Sequence, residues 1–166
     1  MAKDDWQTPK ELFSKLDEEF GFILDVACTF KNSLCECGIY VETESALDTD
    51  WWIWKYSDSD LYRTNEITCW MNPPYSRNNI AMFCKKALEE SQKGCTVVGL
   101  IKLDTSTMWF QNYIMDKAHE VRFCKKRISF IDPDTGKKGG SPPFASAIIV
   151  WKPGIPEETK FSMYEW

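Results

Sequence analysis

The sequence predicts an α/β domain built on a largely parallel sheet, and three observations predict it. Apolar runs of strand length alternate along the chain with stretches of helical periodicity, an order that puts helices between parallel strands. Several of those runs end in polar or proline-containing segments, as buried strands do at the ligand-binding edge of an open sheet. The 166 residues, 43% hydrophobic and 27% charged, suit one soluble globular domain, with no repeat, linker or low-complexity block to divide them.

The elements follow in order. Thr8 is a good N-cap, Pro9 fits the first helical position and Glu11 completes a capping box. Leu12, Phe13, Leu16 and Phe20 keep helical spacing, so a helix is expected from Pro9 to Phe20, stopping at Gly21. Phe22 to Ala27 reads as a buried first strand with Asp25 near its tip, and Gly38 to Val41 as a short second strand. The stretch from Glu42 to Asp50 is acidic but interrupted by Ala46 and Leu47, and it leads into Trp51, Trp52, Ile53 and Trp54. Ser57 to Asn65 is read as a polar surface loop and Ile67 to Met71 as a buried strand.

Farther on, Ile80, Phe83, Ala87 and Leu88 form the apolar face of a helix from Asn79 to Ser91, ended by Gly94. Cys95 to Ile101 is a buried strand. Thr105 to Met115 is a helix with Trp109, Phe110 and Tyr113 on one face, and Glu120 to Cys124 is another strand. Residues 132–143 are rich in turn formers. Ala145 to Trp151 is the expected last strand, with the tail beyond Pro153 on the surface.

Asn72-Pro73-Pro74-Tyr75 is the stretch that carries chemistry. Two prolines after a strand bar both the ladder and a helix, leaving a stiff extended loop at the strand's end. An amide oxygen and a nearby carbonyl can both accept from one planar amino group, and Tyr75 can stack on the ring that bears it. The stretch therefore suits an exocyclic amine on a heteroaromatic base.

These four residues resemble the Asn/Asp-Pro-Pro-Tyr motif of amino-group methyltransferases that use S-adenosylmethionine, chiefly DNA adenine-N6 enzymes. Thr8-Pro9 followed by an apolar helix is similar to the N-terminal cofactor motif of the gamma class of those enzymes, and Leu24 to Cys28 resembles their first motif. The glycine-rich continuation of that motif is absent, the next glycine being Gly38. The order of these segments, followed by Arg127-Ile128-Ser129-Phe130 and Pro142 to Ser146, resembles the small DNA N6-adenine methyltransferases of bacteriophages and prophages over residues 4 to 151.

That resemblance implies one Rossmann-like methyltransferase domain over residues 1–166, with a Thr-Pro loop and helix at 6–20, a catalytic loop at 72–75 and a DNA-contacting loop at 125–144. It implies catalysis by Asn72, Pro73, Pro74 and Tyr75. It places S-adenosylmethionine among Trp6, Thr8, Pro9, Asp25, Ala27 and Asn72, with Asp48 and Asp50 beside its ribose and adenine. The substrate implied is double-stranded DNA, flipped at adenine, in the cytoplasm of a bacterial host. Methylation of cytosine N4 or RNA adenine, and a non-catalytic cofactor- or DNA-binding relative, are the alternative readings.

The totals set bounds. No apolar run approaches the ~20 residues of a membrane span, and Met1 to Trp6 does not read as a secretory signal. Seven cysteines without such a signal argue for reduced thiols, and with His119 far from Cys28, Cys35 and Cys37 no metal is expected. The net charge of −5 does not advertise a nucleic-acid binder, so the local cluster of Lys125, Lys126, Arg127, Lys137 and Lys138 becomes the expected phosphate-tracking face. Oligomeric state and target sequence are not legible.

Overall fold

The computed structural model describes residues 6–41, 44–52, 66–76 and 78–166. The expected loop from Ser57 to Asn65 lies outside them, as do Ile53, Trp54, Glu42 and Thr43. Helices α1 (Lys10–Phe20), α2 (Asn79–Gln92) and α3 (Met108–Tyr113) accompany strands β1 (Leu24–Cys28), β2 (Cys37–Tyr40), β3 (Ile67–Met71), β4 (Cys95–Lys102), β5 (Glu120–Cys124), β6 (Ser146–Trp151) and β7 (Lys160–Tyr164). These strands form one sheet in the order β2-β1-β3-β4-β6-β5-β7. Strand β6 runs antiparallel to both neighbours, and every other adjacent pair is parallel. The order reverses between β1 and β3, and in an open sheet such a switch point leaves a crevice outside the strand C-termini.

Strand periodicity sorts the core into two layers. Trp70, Val98, Leu100, Ile148 and Val150 pack with Leu12, Phe13 and Leu16 of α1, and with Ile128 and Phe130. The alternate residues Cys69, Met71, Val97, Ile149 and Trp151 pack with Ile80, Phe83 and Ala87 of α2 and Phe110 of α3. One face of each strand thus meets one helical layer. Gly99 in the middle of β4 is required by packing, since a Cβ there would lie 2.7 Å from the Met71 methyl carbon.

Three elements depart from the sequence reading. Helix α1 begins at Lys10 with Pro9 as its N-cap and no side-chain cap, so the capping box of Thr8 and Glu11 does not form. Proline has no N–H, and its extended ψ of 134° turns Thr8 away from the helix end. Helix α3 spans Met108–Tyr113 rather than Thr105 to Met115, because Asp104 accepts from the Ser106 amide and holds a turn ahead of it. The tail is not loose surface: β7 adds to the sheet edge beside β5, and Tyr164 is buried.

Buried Glu90 anchors the backbone at Trp51 and Trp52. It accepts from the amides of Trp51 at 3.0 Å and Trp52 at 3.3 Å and pairs with Lys86 and Lys93. Burying a carboxylate is tolerated when it is paired and fully hydrogen-bonded in this way. No helix among the described residues is long and apolar enough to cross a membrane.

Candidate active site

The C-terminal ends of β1 and β3 stand side by side, and two cavities open there. The larger, of about 320 Å³, is lined by Trp6, Asn72, Pro73, Tyr75, Phe130, Gly139, Gly140, Pro142 and Phe144. The smaller, of about 60 Å³, lies among Trp6, Gln7, Thr8, Asp25, Ala27, Asn32, Leu34, Trp70, Asn72 and Pro74, with Val41 at its edge. Trp6 and Asn72 belong to both walls.

Asn72 follows the last residue of β3, where Pro73 and Pro74 stop the ladder. Its amide nitrogen donates to the Trp6 carbonyl at 3.2 Å. A carbonyl can only accept, so this bond selects one of the two amide orientations and leaves the oxygen for a donor in the cavity. The Tyr75 hydroxyl donates to Leu100 O at 3.1 Å, and burial keeps the phenol protonated. The Tyr75 ring meets Phe130 and Phe144 edge-on at 6.0 and 5.7 Å, so the larger cavity is an aromatic box.

The smaller cavity is polar at its floor. Asp25 sits inside β1 rather than at its tip, buried, with Oδ1 accepting from Ala27 N at 3.3 Å and Oδ2 from Leu34 N at 3.1 Å. Burial raises its pKa to about 6 against those two bonds, so at neutral pH it is a carboxylate with no cation against it among the described residues. The Thr8 hydroxyl beside it is buried and has no hydrogen-bond partner among the described residues. In place of a glycine-rich loop, a turn at 29–32, held by Thr29 N donating to Asn32 Oδ1 at 2.6 Å, folds back and brings the Leu34 amide to Asp25.

The N-terminal segment separates the cavities. Gln7 and Ile131 exchange two backbone bonds of 2.9 Å, and Ile131 also bridges to Lys138. Residues 130–140 therefore form a hairpin docked on the segment that holds Asn72.

A family model described as DNA N-6-adenine-methyltransferase (Dam) matches residues 1–165. The chain belongs to that family. Among relatives, it is similar to the DNA N-6-adenine-methyltransferase of Haemophilus phage HP1 (strain HP1c1), with 27% identity over 164 residues, 98% of this chain and 86% of that protein. It is also similar to the DNA N-6-adenine-methyltransferase of Escherichia phage T1, with 29% identity over 151 residues, 82% of this chain and 57% of that protein. No solved structure matches it.

Against the family's expected site, the structure brings Trp6, Thr8, Asp25, Ala27, Asn72, Pro73, Pro74 and Tyr75 together around the two cavities. Pro9 lines neither and serves as the cap of α1. Asp48 and Asp50 line neither cavity. Asp50 is ion-paired with Lys93 beyond the end of α2, near the N-terminus of β4 and so at the opposite edge of the sheet from Asn72. Asp48 lies in the turn closed by its own amide on Ser45 O.

The cationic cluster is partly committed. Lys125 pairs with Glu165 at 2.7 Å, Lys138 lies 3.9 Å from Glu11, and Arg127 donates to Pro142 O at 2.8 Å. Arg127 thus braces the loop that walls the larger cavity. Lys126 and Lys137 are exposed and make no ion pair among the described residues. Phe130, Gly139 and Phe144 fall within the expected DNA-contacting loop at 125–144 without an individual role there, and the sequence reading assigns Asn32 and Leu34 to no site. Only the Gly139-Gly140 doublet beside Pro142 carries a signal, that of a close backbone approach. Among the described residues no group of His, Cys, Asp or Glu is arranged to hold a metal.

Proposed function

We propose that this chain transfers a methyl group to adenine N6 of double-stranded DNA, that the larger cavity receives the flipped base, and that the smaller receives the amino-acid end of S-adenosylmethionine. The observation that carries the reading is Asn72, on the wall common to both cavities with its amide nitrogen already committed to Trp6 O. The family supplies the substrate class; the residues supply the roles.

A cavity of about 320 Å³ walled by Tyr75, Phe130 and Phe144 suits one planar base taken out of the duplex. The nitrogen at adenine C6 is a poor nucleophile because its lone pair is delocalised into the ring. The Asn72 amide oxygen and the Pro73 carbonyl accept its two hydrogens, which draws the nitrogen toward tetrahedral geometry and localises the lone pair. Both acceptors are fixed before the base arrives, Asn72 by Trp6 and Pro73 by its neighbouring proline. Their stabilisation therefore grows as the transition state forms, at no cost in reorganisation. Tyr75, tied to Leu100 O, holds the plane of the base.

The residues of the smaller cavity fit the cofactor. A buried carboxylate and a buried hydroxyl, neither matched by a cation or donor side chain among the described residues, both call for a ligand that carries positive charge and hydrogen-bonding groups. S-adenosylmethionine bound there supplies an electrophilic methyl on a sulfonium. Asp25 holds the ammonium, Thr8 and Ala27 border the carboxylate, and Trp6 closes the side toward the base. Lys126 and Lys137 track phosphates. The whole of residues 1–166 acts as one Rossmann-like methyltransferase domain, with target recognition left to loops around the larger cavity, inside a bacterial host cell.

The test is Asn72→Ala. It removes an interaction made mainly in the transition state, so kcat falls by about a hundredfold or more while cofactor affinity changes little. Near-normal turnover in that variant would refute the assignment.

A further inference from the structure

We infer that the hairpin of residues 130–140 is a positioning device for the catalytic amide, acting on Asn72 through Trp6. The inference rests on the reading of Asn72 as the acceptor of the amino hydrogens, and it goes beyond it by naming what holds that acceptor in place.

An asparagine amide has two orientations of nearly equal shape and opposite chemistry. With the oxygen toward the cavity it accepts from an amino group; with the nitrogen there it presents donors to a donor and repels it. The Trp6 carbonyl, 3.2 Å from Asn72 Nδ2, selects the first. Trp6 lies at the N-terminal edge of the described chain and belongs to no helix or strand, so its position has to be set by its neighbours.

The hairpin supplies them. Gln7 N donates to Ile131 O and Ile131 N to Gln7 O, both at 2.9 Å, which fixes the backbone one residue from the Trp6 carbonyl. Gly139 then abuts the indole. A Cβ at Gly139 would lie 2.7 and 2.9 Å from the outer ring carbons Cζ3 and Cη2 of Trp6, and 3.2 Å from Phe130 O. The Gly139 amide donates to that same Phe130 O at 2.7 Å, so the glycine backbone has no room to retreat. The hairpin is itself stiff. Asp132 N donates to Lys137 O at 2.9 Å, and Asp132 Oδ1 accepts from the amides of Asp134 and Thr135. Its arm beyond the tip carries Lys137 and Lys138, so the element placed to meet DNA is the one that seats Trp6.

Gly139→Ala tests this directly, because the added methyl pushes Trp6 and with it the carbonyl that orients Asn72. The expected result is a fall in kcat of about tenfold, with the KM for DNA and the cofactor dissociation constant within about twofold of wild type. Phenylalanine lacks the two outer carbons that the methyl meets. Trp6→Phe combined with Gly139→Ala therefore recovers kcat to within about threefold of Trp6→Phe alone. A Gly139→Ala enzyme with wild-type kcat overturns the inference. So does a loss, whether of turnover or of folding, that Trp6→Phe does not relieve. Asn72→Ala in the same series separates the two readings: if it turns over normally the acceptor assignment fails, and if it is dead while Gly139→Ala is unimpaired, only the positioning role fails.

Discussion

The two cavities share Trp6 and Asn72 but are built from different materials. The larger is walled by aromatic rings, prolines and glycines from connecting segments, with Asn72 among them. The smaller is cut into the end of β1, with a buried carboxylate and a buried hydroxyl at its floor. A neutral flat ring is held by faces and edges and needs few directional bonds. A cationic ligand needs a counter-charge held rigidly, and a strand flanked on both sides provides it. In the proposed reading, one edge of the sheet hosts two recognition chemistries, and Asn72, which lines both cavities, joins them.

The comparison breaks most sharply at Asp25. Asp25→Ala weakens S-adenosylmethionine binding by roughly thirtyfold, measured by calorimetry, since a charge-assisted bond is removed. DNA affinity at saturating cofactor stays near wild type. Equal losses for both ligands would mean that the cavities are not separate in role.

Phe144→Ala is the converse. Removing one wall of the larger cavity lowers kcat/KM for DNA by about tenfold through weaker packing on the base, with cofactor affinity unchanged. A variant that lost cofactor affinity instead would reverse the assignment of the cavities.

Acidity sharpens the contrast further. Burial raises Asp25 to about 6, above its unfolded value, so folding favours its protonated form. Its contribution to the stability of the ligand-free chain is therefore present at low pH and lost as pH rises through about 4 to 6. Binding of a cation runs the other way, because it needs the carboxylate. Cofactor affinity falls as pH drops below about 6, by up to roughly tenfold per pH unit, and Asp25→Asn flattens that dependence. A wild-type profile flat from pH 7 to 5 would remove Asp25 from the cofactor's reach.

The smallest effect lies outside both cavities. Each lysine that neutralises a phosphate adds about one unit to the slope of log affinity against log salt. Lys126→Ala with Lys137→Ala therefore flattens that slope by up to about two units while leaving cofactor binding intact. An unchanged slope would assign these lysines to solubility.

What is legible in the sequence is set by local physics. β3 ends at Met71 because two prolines end it, and β5 runs from Glu120 to Cys124 as its apolar pattern implies. The placement of Asn72 and Tyr75 at the cavity wall is readable for the same reason, since a stiff loop at a strand end leaves the backbone little choice. Thr8 misleads because a Thr-Pro pair before an apolar helix has the form of a cap. Only the backbone at Pro9 shows that the hydroxyl turns inward. Asp50 misleads because an acidic run gives no sign of which edge of the sheet it reaches, and Lys93, 43 residues away, decides that. Strand β7 is hidden because its more apolar residues, Phe161 and Met163, face out while Ser162 and Tyr164 turn inward, the reverse of the usual pattern. The hairpin's hold on Trp6 depends on pairing across more than a hundred residues, which no local pattern reveals.

Methyl transfer to adenine N6 with Asn72 as acceptor is tested by nucleoside mass spectrometry of duplex DNA incubated with the protein and S-adenosylmethionine labelled in its methyl group. Labelled N6-methyladenine is expected from the wild type, and at least about a hundredfold less from Asn72→Ala under the same conditions. Label in N4-methylcytosine, label in no base at all, or an equal yield of N6-methyladenine from both proteins would contradict it.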